Sequence, residues 1–258
     1  SRLTRRAESR ADEERAPSKT NKKSMPARKG KSAPATVGGV AISNPDKKLY
    51  PEGITKQMLA EYYDGIADRM LPYIAGRPLS LVRCPDGRTG QCFYQKHISQ
   101  GLPKSVRTIP IREKKGTEDY LMIEDKEGLL GLVNLGVLEF HTWGCHASDV
   151  ERPDILVFDL DPGPDVKGQD LVNAAHQLRD HLKALGLKSF PKTTGGKGYH
   201  IAAPLEPKLS WDDLKAITQA VAVHMAETEP AKYTANMSKA KRTGKIYIDY
   251  LRNSRGAT

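Results

Sequence analysis

The sequence has few of the features that mark secreted, membrane-spanning or disulfide-stabilised proteins. Its 258 residues include three cysteines, an odd count that predicts no disulfide framework and fits a reducing cytoplasm. No apolar run approaches the ~20 residues that a membrane-spanning helix needs, and no secretory signal is visible. We therefore expect a cytoplasmic protein without a membrane partner.

The cysteines and histidines also lack the spacing of a structural zinc site. His141, Cys145 and His146 could be combined with Cys84 and Cys92, but no Cys-x-x-Cys pair occurs. Structural zinc sites commonly take ligands from such close pairs. Ordinary packing is therefore the favoured interpretation of these five side chains.

The excess of basic residues is concentrated at the N-terminus. The formal net charge is +10, and residues 1–35 hold eleven Lys or Arg against four Asp or Glu, a net of +7 that leaves +3 for the rest. This segment has almost no large apolar side chains, so it predicts a disordered basic tail or interdomain linker over residues 1–38. A basic arm that touches nucleic acid weakly is the alternative. The ordered domain is predicted over 39–258.

Residues 39–150 are predicted to form a mixed α/β module. Thr55 is a good N-cap for its first helix. The apolar stripe of that helix is predicted to be Met58, Leu59, Tyr62, Ile66, Met70 and Ile74. The remaining elements are strands over 78–83 and 91–97, a hairpin of 105–112 with 119–123, a weak helix over 128–135 and a strand over 137–143.

Residues 151–258 show a more regular pattern, β-α-β-β-α-β. Strands are predicted over 155–161, 188–192, 199–203 and 245–251. The helices between them have predicted inner faces of Leu171, Val172, Ala175, Leu178, Leu182 and Leu185, and of Leu214, Ile217, Val221 and Met225. This order is the ferredoxin-like (RRM-like) split unit, so the fold class is α+β. Its usual spatial strand order, 4-1-3-2, predicts that the last strand lies antiparallel beside the first.

Three aspartates meet at one place in this predicted sheet. Asp159 and Asp161 end the apolar first strand, and residues two apart share a face of a strand roughly 6.5–7 Å apart. Asp249, on the last strand, is expected beside them. Grouped carboxylates are costly unless a cation lies among them, and oxygen ligands suit Mg²⁺ or Mn²⁺. Two solvated aspartates at a strand end are the alternative for the first pair alone.

A glycine-rich turn is predicted at the same end of the first strand. Three carboxylates can hold two divalent ions for in-line phosphoryl transfer, and Gly195, Gly196 and Gly198 let backbone amides approach an anion, with charge from Lys197. His200, Arg242 and Arg252 are further candidate phosphate donors. The spacing is not that of a P-loop. Taken singly, the turn could be an ordinary hairpin and the other residues structural or solvated.

These residues resemble known motifs. Asp159–Gly163, Thr194–His200 and Ile248–Asn253 look like the three active-site motifs of the archaeo-eukaryotic primase-polymerases. Arg83–Gly87, Cys92–His97 and Asn44–Pro51 narrow the resemblance to the polymerase domain of bacterial ATP-dependent DNA ligase D. It covers the chain from about Ile42 to its last residue. The family continues beyond Thr258, so the catalytic module, 151–258, is expected to be incomplete at its C-terminus.

The resemblance implies nucleotide addition at DNA ends during non-homologous end joining, often with Mn²⁺ and with a preference for ribonucleotides over deoxyribonucleotides. By motif, Asp159, Asp161 and Asp249 are the catalytic metal ligands. The implied nucleotide contacts are Arg83, Lys96, Thr194, Gly196, Lys197, His200 and Arg252, with Arg242 as another nucleotide or DNA contact. Phe93 and Tyr94 match an aromatic pair at the templating base. Their alternative is one core and one surface aromatic.

The resemblance also implies how DNA ends are recognised and where the protein works. Lys47 and Lys56 match lysines that hold the 5′-phosphate of a recessed or gapped end, and both lie near a predicted helix N-terminus, whose free amides favour an anion. Two solvated lysines are the alternative. Further implied partners are a ligase module in the same chain and a Ku-type end-binding protein, at the bacterial nucleoid. Rival functions are a two-metal nuclease and a non-catalytic module that docks DNA ends for a ligase.

Overall fold

The computed structural model of the protein describes residues 34–97 and 101–258, and these described residues belong to one compact unit. Most of the predicted tail lies outside the described residues, but its boundary at residue 38 is wrong. Strand β1 (Ala35–Val37) pairs with β2 (Val40–Ile42). Gly38 and Gly39 both have positive φ, 54° and 85°, which permits this tight turn. Among the described residues, no helix is long and apolar enough to cross a bilayer.

The first sheet and two helices form the N-terminal part of the fold, as predicted. The strands follow the order β4-β3-β6-β5, and β7 also pairs with β3. Both helices share one apolar core with this sheet. The elements are α1 (Lys56–Ile74), β3 (Leu79–Arg83), β4 (Phe93–Gln95), β5 (Val106–Glu113), β6 (Gly116–Ile123), α2 (Lys126–Asn134) and β7 (Val137–Thr142).

Helix α1 begins where the sequence predicts, but it is rotated relative to the predicted stripe. Thr55 is its N-cap, and the Thr55 hydroxyl accepts a hydrogen bond from the Met58 amide. Met58 and Tyr62 are 51% and 59% exposed, so two of the predicted inward positions are wrong. The buried positions include Leu59, Ala60, Tyr63 and Ala67. The prediction weighted large apolar side chains and overlooked small alanines, which let a helix approach its neighbours closely.

The second sheet confirms the predicted split unit and its spatial order. Its order is β11-β12-β8-β10-β9, so the last predicted strand, β12, lies antiparallel beside the first, β8. The two-residue edge strand β11, parallel to β12, is too short to show in the sequence pattern. The elements are β8 (Ile155–Pro162), α3 (Gly168–Ala184), β9 (Phe190–Thr193), β10 (Tyr199–Pro204), α4 (Trp211–Thr228), β11 (Tyr233–Thr234) and β12 (Ile246–Asp249).

The helices of this half cover one face of the sheet. Ser210 and Asp213 form the predicted capping box at the start of α4. Leu185 and Ile217, both predicted inward, are 56% and 42% exposed. Each lies at the margin of its apolar stripe, where a side chain turns toward solvent. The buried positions of α3 and α4 are Leu171, Ala174, Leu178, Leu182, Trp211, Leu214, Thr218, Ala222 and Met225.

The prediction that the cysteines form no disulfide is wrong for one pair. Cys84 and Cys92 are disulfide-bonded with their Cα atoms 4.3 Å apart. Arg83 pairs with Phe93 across strands β3 and β4, so the two cysteines occupy the next facing positions, where Cβ atoms lie close. A cysteine count cannot reveal this cross-strand pairing. Cys145 is a buried free thiol, and no zinc-type cluster occurs in the described ranges.

The two halves are joined by polar contacts as well as by a small shared core. The Arg77 guanidinium, which follows α1, donates two hydrogen bonds of 2.6 Å to the Asp154 carboxylate just before β8. Near the C-terminus, Arg255 lies 5.5 Å from the ring centre of Trp143 and donates to the Arg112 carbonyl at 3.0 Å. The shared core includes Trp143 from the first half and Trp211 from the second. These contacts fix where β8 starts relative to the first sheet.

Candidate active site

Strand β8 presents its side chains alternately to two environments. Leu156, Phe158 and Leu160 are buried in the core with α3 and α4. Asp159 and Asp161 point to the other side, because successive side chains of a strand alternate. We call this side, which carries Asp159, Asp161, His200 and Asp249, the carboxylate face. The Asp159 side chain is 12% exposed and that of Asp161 is 49% exposed.

Strand register brings the neighbouring functional groups to the same face. Asp249 of β12 and His200 of β10 both pair with Asp159, from opposite sides. Directly paired residues of antiparallel strands project on the same side of a sheet. The predicted convergence of three carboxylates and His200 is therefore present in the fold. Tyr247, which pairs with Asp161, lies on this face too; its spacing two residues before Asp249 was the signal that could have identified it.

Asp159 is held by Arg252 and His200. Arg252 Nε and its terminal nitrogen both lie 3.1 Å from Asp159 Oδ2, and His200 Nε2 lies 3.3 Å from the same oxygen. Burial alone would raise the pKa of Asp159, but His200 and Arg252 outweigh burial and hold that pKa below its ordinary value. Asp159 is therefore an ionised carboxylate at neutral pH.

Asp161 experiences the opposite electrostatic balance. Burial raises the pKa of its carboxyl group, and the nearby charge of Asp159 raises it further. The Arg242 guanidinium, 3.5 Å from Asp161 Oδ2, offsets only part of this. Burial and the neighbouring negative charge thus both disfavour the ionised form of Asp161, and a bound cation would favour it.

The three aspartates have the chemistry to bind a hard divalent cation, although each carboxylate contacts another group in this structure. All three groups offer only oxygen atoms from one face, which suits Mg²⁺ or Mn²⁺. Across the described ranges, no three such side chains converge closely enough to hold an ion as they stand. Asp159 pairs with Arg252 and Asp161 with Arg242, while Asp249 Oδ1 accepts the Leu251 amide at 2.8 Å.

The glycine-rich turn between β9 and β10 approaches β8 closely at Gly198. A Cβ atom added to Gly198 would lie 2.5 Å from the Leu160 carbonyl oxygen, so only glycine permits this approach. The Thr194 hydroxyl accepts the Gly196 amide at 3.3 Å and donates to the Gly198 carbonyl at 3.2 Å. The Gly196 amide, predicted to be open to an anion, is therefore engaged within the turn. Lys197 lies on the exposed part of it.

Arg242 is packed beside the carboxylates and is not a solvated loop residue. Its guanidinium stacks on the Tyr247 ring at 3.9 Å from the ring centre and donates to the Met237 carbonyl at 2.7 Å. Behind it, the turn after β8 comes so close that a Cβ on Gly163 would lie 1.8 Å from the Arg242 carbonyl oxygen. Gly163 thus allows this segment to close against the end of β8.

The predicted template and nucleotide residues of the first half lie on the other sheet. Phe93 and Tyr94 are 38% and 73% exposed, so neither belongs to the core, contrary to the alternative of one core aromatic. Arg83 Nε donates to the Leu135 carbonyl at 2.7 Å, and Lys96 lies 5.9 Å from the Tyr120 ring centre. Within the described chain, no hydrogen bond or ion pair joins Arg83 or Lys96 to the carboxylates.

Lys47 and Lys56 lie together, but the helix terminus beside them has no free amides. The Lys56 amide donates to the Lys47 carbonyl, and the Gln57 amide donates to the Pro45 carbonyl. The Met58 amide is capped by Thr55. The expectation that helix amides attract an anion here is therefore wrong, because the preceding turn folds back over them. Any anion affinity at this position must come from the lysine amines.

The two amines differ in environment. Lys56 is 6% exposed, and its Nζ donates to the Asn134 carbonyl at 2.8 Å and to Ser43 Oγ at 3.1 Å. Burial, together with the charge of Lys47, lowers the pKa of Lys56. Lys47 is more exposed and pairs with Asp86 at 2.9 Å. Neither is a freely solvated lysine, and the partners Ser43, Asp86 and Asn134 had no signal in the sequence pattern.

Comparison with known proteins identifies the family. The family model of the LigD primase-polymerase domain matches residues 55–258. The multifunctional non-homologous end joining protein LigD of Pseudomonas aeruginosa is 41% identical over 226 residues, which cover 87% of this chain and 27% of that protein. Its namesake in Mycolicibacterium smegmatis is 35% identical, covering 85% of this chain and 29% of that protein. The chain thus spans about a third or less of these relatives.

A solved structure is similar over most of the chain. The polymerase domain from Mycobacterium tuberculosis Ligase D, in complex with DNA, superposes with a TM-score of 0.80 at 33% identity. The match covers 84% of this chain and 79% of that one. Together with the matching family model, these similarities show that the chain belongs to the LigD primase-polymerase domain family.

Proposed function

We propose that this domain is a nucleotidyltransferase that fills or extends DNA ends in non-homologous end joining, by phosphoryl transfer with two divalent ions. The observation that carries the proposal is the register of the second sheet, which sets Asp249 and His200 on either side of Asp159, with Asp161 on the same face. Membership of the LigD primase-polymerase family supports the substrate class. A preference for ribonucleotides is part of the proposal through the family resemblance alone.

Mn²⁺ or Mg²⁺ would be held by the carboxylates of Asp159, Asp161 and Asp249. When bound, two such ions activate an attacking hydroxyl and stabilise the leaving oxygen. The protein's own part is to gather the negative charge and to supply cations around it. His200 and Arg252, both within 3.3 Å of Asp159, are at hand to donate to the oxygens of a nucleoside triphosphate.

The neighbouring turn and loop complete the proposed nucleotide site. Lys197 adds a positive charge on the exposed turn, and Thr194 with Gly196 holds the shape of that turn. Arg242 balances Asp161 and remains a candidate contact to nucleotide or DNA. Arg83 and Lys96 are proposed contacts from the first sheet, where Phe93 and Tyr94 offer exposed rings on which a templating base can stack.

DNA ends are proposed to be recognised through their 5′-phosphate. A terminal phosphate carries more charge than an internal phosphodiester, so two adjacent amines can distinguish an end from continuous backbone. Lys47 and Lys56 are the proposed pair: their backbones are hydrogen-bonded at 2.8 Å, and the pKa of the Lys56 amine is lowered by burial and also by the charge of Lys47. A ligase module in the same chain and a Ku-type protein are proposed partners, because the relatives are named as multifunctional end-joining proteins.

A single assay separates this function from its rivals. The protein is incubated with a primed, gapped DNA carrying a 5′-phosphate, with Mn²⁺ and one nucleoside triphosphate. Extension of the primer is expected. Shortening of the primer would identify a nuclease, and a mobility shift without chemistry would identify a docking module.

Asp249→Asn sharpens the assay. It removes one carboxylate charge at nearly constant volume, so extension should be lost while the mobility shift persists. Normal turnover by this variant would contradict the proposed site. Parallel assays with ribo- and deoxyribonucleoside triphosphates, and with Mg²⁺ in place of Mn²⁺, test the sugar and metal preferences.

A further inference from the structure

One strand pairing at the edge of β8 is completed by a side chain. Strand β12 pairs with β8 only as far as Asp249 opposite Asp159, although β8 begins at Ile155. Beyond that point the Asn253 carboxamide takes over. Its Oδ1 accepts the Val157 amide at 2.8 Å, and its Nδ2 donates to the Val157 carbonyl at 2.8 Å. Asn253 is 2% exposed.

The carboxamide stands where a peptide group would otherwise be. In the antiparallel register, Leu251 would face Val157, but the Leu251 amide turns back to Asp249 Oδ1 at 2.8 Å. The chain then forms a 3-10 turn over Leu251–Asn253. An asparagine side chain offers both a donor and an acceptor, as a peptide group does, so it satisfies both polar groups of Val157. Asn253 Nδ2 also donates to the Tyr250 carbonyl at 2.9 Å, which closes the turn.

This turn carries Arg252, whose guanidinium meets Asp159. Arg252 lies between the two residues whose contacts anchor the turn, Leu251 and Asn253. Its Nε and terminal nitrogen both reach Asp159 Oδ2 at 3.1 Å. Asn253 and Arg252 thus contact β8 at positions two residues apart, Asn253 at Val157 and Arg252 at Asp159. Among the described residues, the side-chain hydrogen bonds from this turn to β8 come from Asn253 and Arg252. Removing the carboxamide would leave only those of Arg252.

We propose that Asn253 is a positioning residue for the nucleotidyl-transfer site: by continuing the β8 ladder with its side chain, it fixes the Arg252 guanidinium against Asp159. This role rests on the proposed function. Asn253 touches neither the carboxylates nor the proposed nucleotide site, so it acts through Arg252. Its removal leaves Val157 with an unpaired amide and carbonyl, which favours local rearrangement of the turn.

The test compares Asn253→Ala, Asn253→Asp, Arg252→Ala and the double variant Asn253→Ala with Arg252→Ala. Primer extension on the gapped DNA gives kcat and KM for the nucleotide, and near-UV circular dichroism gives the folded fraction. Leu178→Ala is the matched control, because Leu178 is fully buried in α3 and lies on the other side of the sheet. Assays are run below the unfolding temperature of every variant.

Asn253→Ala is expected to lower kcat by about 10- to 100-fold, as loss of a group that orients an active-site residue does. In the Arg252→Ala background the same change should lower kcat by less than about twofold, since the residue through which it acts is gone. Leu178→Ala should lose stability but keep its kcat. Asn253→Asp keeps the acceptor and loses both donated bonds, so its kcat should also fall.

Several results would overturn the role. A wild-type kcat for folded Asn253→Ala would do so. Asn253→Ala lowering kcat by the same factor whether or not Arg252 is present would also do so. Unfolding of both Asn253 variants where Leu178→Ala stays folded would assign Asn253 to stability alone. Absence of extension by the wild-type protein is a different failure: it would refute the proposed function and the role of Asn253 with it.

Discussion

The two sheets of this domain hold their candidate functional residues in different ways. On the second sheet, Asp159, Asp161, His200 and Asp249 lie on adjacent strands, and register alone brings them together. On the first, Arg83, Phe93 and the lysines near α1 lie on strand ends and turns, each tied to a local partner such as Leu135 or Asp86. A site built on strand register can be derived from topology, whereas a site built on turns cannot.

The sharpest test of the second sheet replaces either of the first two aspartates. Asp159→Ala or Asp161→Ala is expected to abolish primer extension, because each removes a carboxylate that the proposed ions require. DNA binding, measured by mobility shift, should be largely retained. Asp180→Ala is the matched control, since Asp180 is an exposed aspartate of α3 whose only ion pair among the described residues is with its neighbour Arg179. Extension at the wild-type rate by either site variant would contradict the proposal that the second sheet carries the catalytic carboxylates.

The next test concerns the close approach behind the carboxylates. Gly163→Ala places a Cβ 1.8 Å from the Arg242 carbonyl, and backbone on both sides leaves little room to relax. We expect a loss of about 1–3 kcal/mol or more in unfolding free energy, measured by thermal or urea denaturation, together with reduced extension. Gly168→Ala is the control, because nothing lies within 4 Å of its added Cβ; it should be neutral or slightly stabilising. Equal stability of the two variants would contradict the close packing.

A smaller effect, selective for the 5′-phosphate, is expected from the lysines near α1. Lys56→Ala should weaken binding to a gap with a 5′-phosphate by about 1.5–3 kcal/mol, the range of a charge-assisted contact. Binding to a 5′-hydroxyl gap should stay near that of the wild type. Lys47→Ala should act in the same direction but less, because the more exposed Lys47 amine is more strongly screened by solvent. Fluorescence anisotropy with both substrates decides; equal losses on the two would make the lysines general backbone contacts.

The smallest effect is expected from the exposed aromatics. Tyr94→Ala should leave the unfolding free energy nearly unchanged, since its ring is 73% exposed. It should weaken extension that depends on the template by about 1–3 kcal/mol, the magnitude of one base–aromatic stacking contact. Tyr73→Ala, at 74% exposure on α1, is the matched control. A Tyr94 variant that extends templated ends normally would exclude this ring from the templating position.

How far the sequence predicts this molecule depends on the range of the interactions involved. The strand order of the second sheet and the position of Asp249 follow from the β-α-β-β-α-β pattern, because that topology has one usual arrangement. The N-caps Thr55 and Ser210 follow from local chemistry. Several of the wrong predictions concern contacts that no periodic pattern in the sequence records. The burial of Lys56 depends on Asn134, 78 positions away, and the Cys84–Cys92 pairing depends on the register of β3 with β4.

The candidate site was predicted in composition but not in its internal pairing. Residue types and topology indicate three carboxylates and several cations. They do not indicate that Arg252 faces Asp159 while Arg242 faces Asp161. That choice depends on a 3-10 turn and on the stacking of Arg242 over Tyr247, neither of which has a periodic signature.

The alternation of strand β8 separates two kinds of mutational sensitivity within one short segment. Leu156, Phe158 and Leu160 contact the helices and contribute to folding, whereas Val157, Asp159 and Asp161 lie on the side of the proposed site and of the Asn253 contact. Random substitutions at the first set should reduce the amount of folded protein, and those at the second should spare that amount while reducing the proposed primer extension. A mutational scan of this strand would therefore show the two phenotypes alternating from one residue to the next.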